Sequence, residues 1–186
     1  MTFEFKIQIK NITKPPVWRR LRVPDHFTFE DFHNIIQIAF EWENCHLYNF
    51  SPEGWASNPR IAVPSEYDET APDLDSTEAI LSDIFKIKGQ KFTYIYDFGD
   101  DWNHQIILEE ILPEKSKKAL CIEGKGSAAI EDCGGPWGYE RLKEVLKNPK
   151  DDEYPDMLDW LGLESGDEWD PKEFDLKLIN DALNQY

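Results

Sequence analysis

Cationic side chains are in short supply here. The chain sets 20 Lys and Arg against 37 Asp and Glu, a formal net charge of -17 at pH 7, and so little positive charge argues against general binding to nucleic acid or anionic membranes, which cations hold. The same balance permits basic partners and keeps the chain soluble. Cysteines number three, Cys45, Cys121 and Cys133, an odd count with no C-x-x-C pair, which argues against a disulfide framework or a zinc ribbon. Reduced thiols fit the cytosol. No apolar run approaches the ~18 residues of a membrane span, and the opening MTFEFKIQIK alternates apolar with polar residues instead of offering a leader's apolar core. A cytoplasmic protein without membrane contact is expected.

Aromatic residues are plentiful: seven Trp, seven Tyr and eleven Phe in 186 residues. They supply a core despite 31% charged residues, and the length predicts one domain over residues 1–186. The acid accumulates late, with twelve Asp and Glu against two Lys after residue 150.

The densest signal is KFTYIYDFGDDWNHQIILEEI, residues 91 to 111. Two β-branched and aromatic runs flank an Asp- and Gly-rich turn, which predicts a β-hairpin. Alternation places Tyr94, Tyr96 and Phe98 on the buried face, and it groups Trp102, His104, Ile106 and Leu108 on one face of the returning strand.

Elsewhere Phe3, Phe5, Ile7 and Ile9 alternate with polar residues as a strand does. Val17 to Val23 predicts a second strand, ended by Pro24, with Arg20 and Arg22 beside Trp18 and Arg19 opposite. Thr28 with Asp31 three residues on makes an approximate capping box, so a helix is expected from about Phe29, its core stripe Phe29, Phe32, Ile36, Ala39 and Phe40. Further strands are expected near 45–50, 60–63 and 119–123, a short helix over 77–85, and a mobile acidic loop over 64–77. Gly134-Gly135-Pro136 is expected to prevent regular structure before a helix at 139–147. Asp170-Pro171-Lys172-Glu173, with a Trp169 to Phe174 staple, predicts a last helix running to Leu183. The sum is an α+β fold: a largely antiparallel sheet of about five or six strands with about four helices mainly on one face.

Three segments, PPVWRRLRVP with the following TFEDFHNIIQIAFEWENCHLYNF, then YIYDFGDDWNHQI, then IEDCGGPWGYERL, together resemble the plasmid pRiA4b ORF-3-like family along nearly the whole chain. The resemblance implies an α+β fold and a setting among plasmids, transposable elements and bacterial or archaeal chromosomes. It implies no established activity.

Four chemistries compete for the polar residues. Asp97, Asp100, Asp101, His104, His46 and Asp132 offer the donors of a divalent metal site, the one cofactor suggested, and with it a metal-assisted hydrolase using Asp97, Asp100, Asp101 and His104. His104, Asp101 and Cys133 are the catalytic candidates, Cys133 as a nucleophile beside the Gly134-Gly135 amides. Lys10, Lys14, Arg19, Arg20 and Arg22 around Trp18 could meet nucleic acid, although pairing with the acidic C-terminal segment is favoured. Exposed Trp55, Trp102 and Trp137, with Tyr96 and His46, could line a groove. A binding module for a protein or small ligand ranks first, because tight turns and glycine motifs without a catalytic signature suit recognition.

Overall fold

The alternating N-terminal run forms strand β1 (Thr2–Ile9), all four of its large apolar side chains buried. In the computed structural model, which describes residues 1–65 and 71–186, β1 lies between β2 (Trp18–Pro24) and β7 (Trp102–Leu112). The expected hairpin joins β6 (Lys91–Tyr96) to β7, with Tyr94 opposite His104 and Tyr96 opposite Trp102. Next to β6 comes β3 (Tyr48–Ser51), followed by two-residue strands β4 (Ile61–Ala62) and β5 (Leu74–Asp75), while β8 (Leu120–Lys125) closes the other edge. The order is β5-β4-β3-β6-β7-β1-β2-β8, antiparallel except between β4 and β5. Among the described residues eight strands replace the expected five or six: β4 lies where a strand was expected near 60–63, whereas β5, only two residues long, carries no periodicity to read. β5 falls inside the stretch expected to be a mobile loop, whose residues 66–70 lie outside those described.

Helix α1 (Phe29–Ala39) begins where the capping box puts it: Thr28 accepts from the Asp31 amide and Asp31 from the Thr28 amide. Its stripe packs on the sheet, Phe32 against Phe5 with ring centroids 4.8 Å apart and Phe29 against Phe50 at 5.1 Å. Short α2 (Leu81–Ile84) precedes the hairpin. Helix α3 (Gly135–Leu146) starts four residues earlier than expected, because a proline in the first turn removes only an amide that has no helical partner. Helix α4 (Tyr154–Leu161) was not expected, although Pro155 at its start and left-handed Gly162 at its end are the usual punctuation. Helix α5 (Leu176–Gln185) packs against α1 and β8.

Asp170 does not begin that last helix. Asp175 caps it, accepting from the amides of Lys177 and Leu178. Tertiary packing overrides the local signal: the Phe174 ring lies over the Arg19 guanidinium, 4.8 Å from ring centroid to Cζ, and residues 173–175 stay outside the helix, with Asp175 itself extended.

Candidate functional site

Three connecting segments meet at one end of the sheet: residues 43–46 after α1, the hairpin turn 97–101, and the 127–134 loop before α3. Asp97 and Asp101 take left-handed backbone, φ 54 and 53, which aspartate tolerates, and the Asp101 amide closes the turn on the Asp97 carbonyl at 2.8 Å. The glycine loop docks on that turn. The Gly134 amide donates to Asp100 at 3.1 Å, and a Cβ on Gly135 would stand 2.3 Å from the Asp100 carbonyl oxygen, so only glycine lets the two backbones approach.

Segment 43–46 is fixed from below. Gln37 on α1 donates to the Tyr94 hydroxyl at 2.8 Å, that hydroxyl bonds His33 Nδ1 at 2.8 Å, and His33 Nε2 bonds Asn44 Oδ1 at 2.6 Å. The Asn44 amide returns to Gln37 Oε1 at 2.9 Å and closes a ring. With the His33 proton on Nε2, every donor in the ring finds an acceptor. His33 also stacks on Tyr48 at 3.6 Å, and burial depresses its pKa to about 4, so it stays neutral. Next along the segment, the Cys45 amide donates to the Tyr96 hydroxyl and the Glu43 amide to Glu131.

These anchors deliver His46 to a group of carboxylates. Its Nε2 lies 3.2 Å from Asp132, 3.7 Å from Asp97 and 3.8 Å from Glu131. None of these contacts has hydrogen-bond geometry, and both His46 Nε2 and Glu131 Oε2 are buried without a hydrogen-bond partner. Each of the two inner carboxylates has one oxygen tied and the other turned to the imidazole: Asp97 Oδ1 accepts from the Gly99 amide, Glu131 Oε1 from the Tyr96 hydroxyl and the Glu43 amide.

Of the candidates named from sequence, His46, Asp97 and Asp132 come together, with Tyr96 supporting them from the core. His104 does not join. It is wholly buried beside Phe40, Trp42 and Tyr94, its Nδ1 on the Trp102 carbonyl, and burial lowers its pKa to about 4. The Asp97, Asp100, Asp101 and His104 set therefore does not assemble. Asp100 clamps the glycine loop, while Asp101 accepts from the Trp55 indole at 2.8 Å. Cys133 contacts the Gly135 carbonyl, its thiol pushed up to about 12 by burial and by Asp100, Asp132 and Glu131, a poor setting for a nucleophile. Trp102 is sealed in the core, whereas Trp137 is 80% exposed and Trp55 50%. Glu131 and Cys45 were missed. Their only sequence signal is adjacency to Asp132 and His46.

The basic strand is spoken for. Arg19 is fully buried, bonding the carbonyls of Trp18, Ala39, Lys125 and Gly126 between the rings of Phe40 and Phe174. Arg20 pairs with Glu109 and Glu123, and Arg22 with Glu4, all sheet residues rather than the C-terminal acids. Beside the His46 group opens a cavity of about 340 Å³, lined by Glu41, Glu43, Ala129, Glu131, Leu163 and Trp169 among others.

No helix among the described residues is long and apolar enough to cross a membrane. The chain is 30% identical over 172 residues to the uncharacterized protein y4hQ of Sinorhizobium fredii, covering 92% of this chain and 85% of that one. A crystal structure of a protein of unknown function, MM3350 from Methanosarcina mazei Go1, superposes with a TM-score of 0.80 at 39% identity, covering 95% of this chain and 96% of the other. No activity is established for these relatives. The plasmid pRiA4b ORF-3-like protein family matches residues 1–178, and this chain belongs to it.

Proposed function

We propose that the protein is a cytosolic binding module whose ligand seat is the cleft beside the junction of hairpin turn and glycine loop, and that the group it takes is a basic side chain. The observation that carries this is the lining itself: Glu41, Glu43 and Glu131 share it with the apolar side chains of Ala129, Leu163 and Trp169. A lysine or arginine lays its apolar stem on such a wall and presents its head to the carboxylates, with the Trp169 ring as a further cation-binding face. The net charge of -17 steers such ligands inward. The Glu41 carboxyl is already held above its usual range by burial, with Glu173 and Asp175 adding to the rise against Arg19, so an incoming cation relieves a strained charge. Three free cysteines accord with a reducing compartment.

Calorimetric titration of the full chain with blocked lysine and blocked arginine, and with blocked norleucine as uncharged control, tests the assignment. Saturable binding of the basic compounds, weakened by salt and by Glu43→Gln, is expected. Equal binding of norleucine, or no saturation by any of the three, would overturn it. A second reading, metal-assisted hydrolysis of a bond in the ligand, is favoured by one fact: Glu131 lines the cleft and also faces His46. Product release from a basic peptide only when a divalent metal is added would support that reading.

A further inference from the structure

We propose that His46, Asp97, Glu131 and Asp132 form a binding site for a divalent metal ion, with the Cys45 thiol at its margin. The inference goes beyond the cleft and does not depend on what the cleft takes.

Donor spacing comes first. One ligand atom each from His46, Asp97 and Asp132 lie within 4.8 Å of one another, and the same holds for Cys45, His46 and Glu131. Ligands about 2.0–2.3 Å from a shared ion stand no more than about 4.6 Å apart, so each triad is close to that spacing, and His46, common to both, is the donor around which side-chain adjustment would gather the others.

Satisfaction of polar atoms comes second. In a self-sufficient polar cluster the buried groups are paired, as they are in the ring just beneath this one. Here His46 Nε2 and Glu131 Oε2 are both buried and unpartnered, and they face each other at 3.8 Å. Charge points the same way. Three carboxylates converge on one imidazole, and even a charged imidazolium would balance only one of them; a divalent cation in their midst turns repulsion into attraction.

The outer groups are those that orient ligands. The Gly99 amide holds Asp97 Oδ1, and the Tyr96 hydroxyl and Glu43 amide hold Glu131 Oε1, leaving Asp97 Oδ2 and Glu131 Oε2 turned toward His46. One nitrogen, several carboxylate oxygens and a nearby thiol suit zinc first and manganese second. Magnesium, which prefers water and all-oxygen shells, ranks behind both.

The test is titration of chelator-stripped full-length protein with zinc, manganese and magnesium salts, by calorimetry and by thermal unfolding, with no cleft ligand present. One saturable zinc site per chain is expected, and His46→Gln, Asp97→Asn and Glu131→Gln should each weaken it by at least about tenfold, since loss of mere outer-shell partners already has effects of that size. His26→Gln and Asp101→Asn, which touch exposed residues outside the cluster, should leave affinity unchanged. Circular dichroism of each variant separates lost ligation from lost folding. No saturable binding of any of the three metals, or equal affinity in the folded His46→Gln and Glu131→Gln proteins, would overturn the site. Because the basic-ligand titration is done without metal, either assignment can fail while the other stands.

Discussion

Two polar groups lie one above the other at the same end of the sheet, and they are built on opposite principles. In the lower one, His33, Gln37, Asn44 and Tyr94 close a ring in which each donor meets an acceptor. In the upper one, His46 stands among Asp97, Glu131 and Asp132 with buried atoms left over. Buried polar groups that satisfy one another fix a shape, whereas a titratable group left unsatisfied beside others leaves room for a water, an ion or a ligand to complete it. The ring spends its hydrogen bonds fixing segment 43–46, and that segment carries His46.

The largest expected effect comes through acid, at His33 in the ring and at His104 in the core beside it. His33 and His104 are neutral in the folded chain with pKa values lowered from 6.5 to about 4 by burial, so the unfolded chain takes up protons first as pH falls. Their contribution is intact above pH 6.5 and drains away between 6.5 and 4, by about 3 kcal/mol for each histidine. A protonated His33 would also need to donate from Nδ1 to a hydroxyl already receiving from Gln37, which leaves the Tyr94 proton without an acceptor. Urea midpoints across that pH window should fall steeply, and less steeply in His33→Gln. A flat profile would mean that the ring tolerates charge and differs little from the cluster above it.

Single substitutions sharpen the contrast. Tyr94→Phe removes the hydroxyl shared by His33 and Gln37 in a fully buried position, and should lower unfolding free energy by about 2 kcal/mol at neutral pH, the penalty for stranded buried partners. Asp97→Asn acts in the opposite direction. Its carbonyl oxygen still accepts from the Gly99 amide while one of three crowded charges disappears, so metal-free stability should rise by up to about 1 kcal/mol even as metal affinity falls. Denaturant titrations of both variants read the two signs directly. A destabilised Asp97→Asn protein would place the cluster with the ring, as structure rather than site.

How much of this was legible in the chain depended on how far each signal reached. The capping box at Thr28 and the hairpin at 91–111 were readable because their determinants lie a few residues apart. The same alternation that placed the hairpin also put His104 on the stripe of Trp102, Ile106 and Leu108, all of it core. Grouping it with the turn carboxylates set composition above periodicity. His46, Asp97 and Asp132 were named from donor type, but nothing local ties Glu131 to Tyr96 or Asn44 to His33: the first pair meets because the glycine loop docks on the hairpin turn, the second because the ring through Tyr94 and Gln37 holds it. The misplaced start of α5 has the same cause, since Asp170-Pro171 is a sound local signal and Phe174 is claimed by Arg19 from across the fold.

The smallest expected effect is the most discriminating. Asp97, Asp100 and Asp101 share one turn, yet only Asp97 faces His46. Asp101, also left-handed, accepts from the Trp55 indole at the surface. Asn at 101 keeps an acceptor oxygen and tolerates that backbone, so Asp101→Asn should move stability by less than about 0.5 kcal/mol. Zinc affinity should stay within about twofold of the parent, because an exposed charge outside the shell is screened by salt. If Asp101→Asn instead weakened zinc as much as Asp97→Asn, the overall acidity of the chain would govern cation binding, and the particular geometry around His46 would carry no special weight.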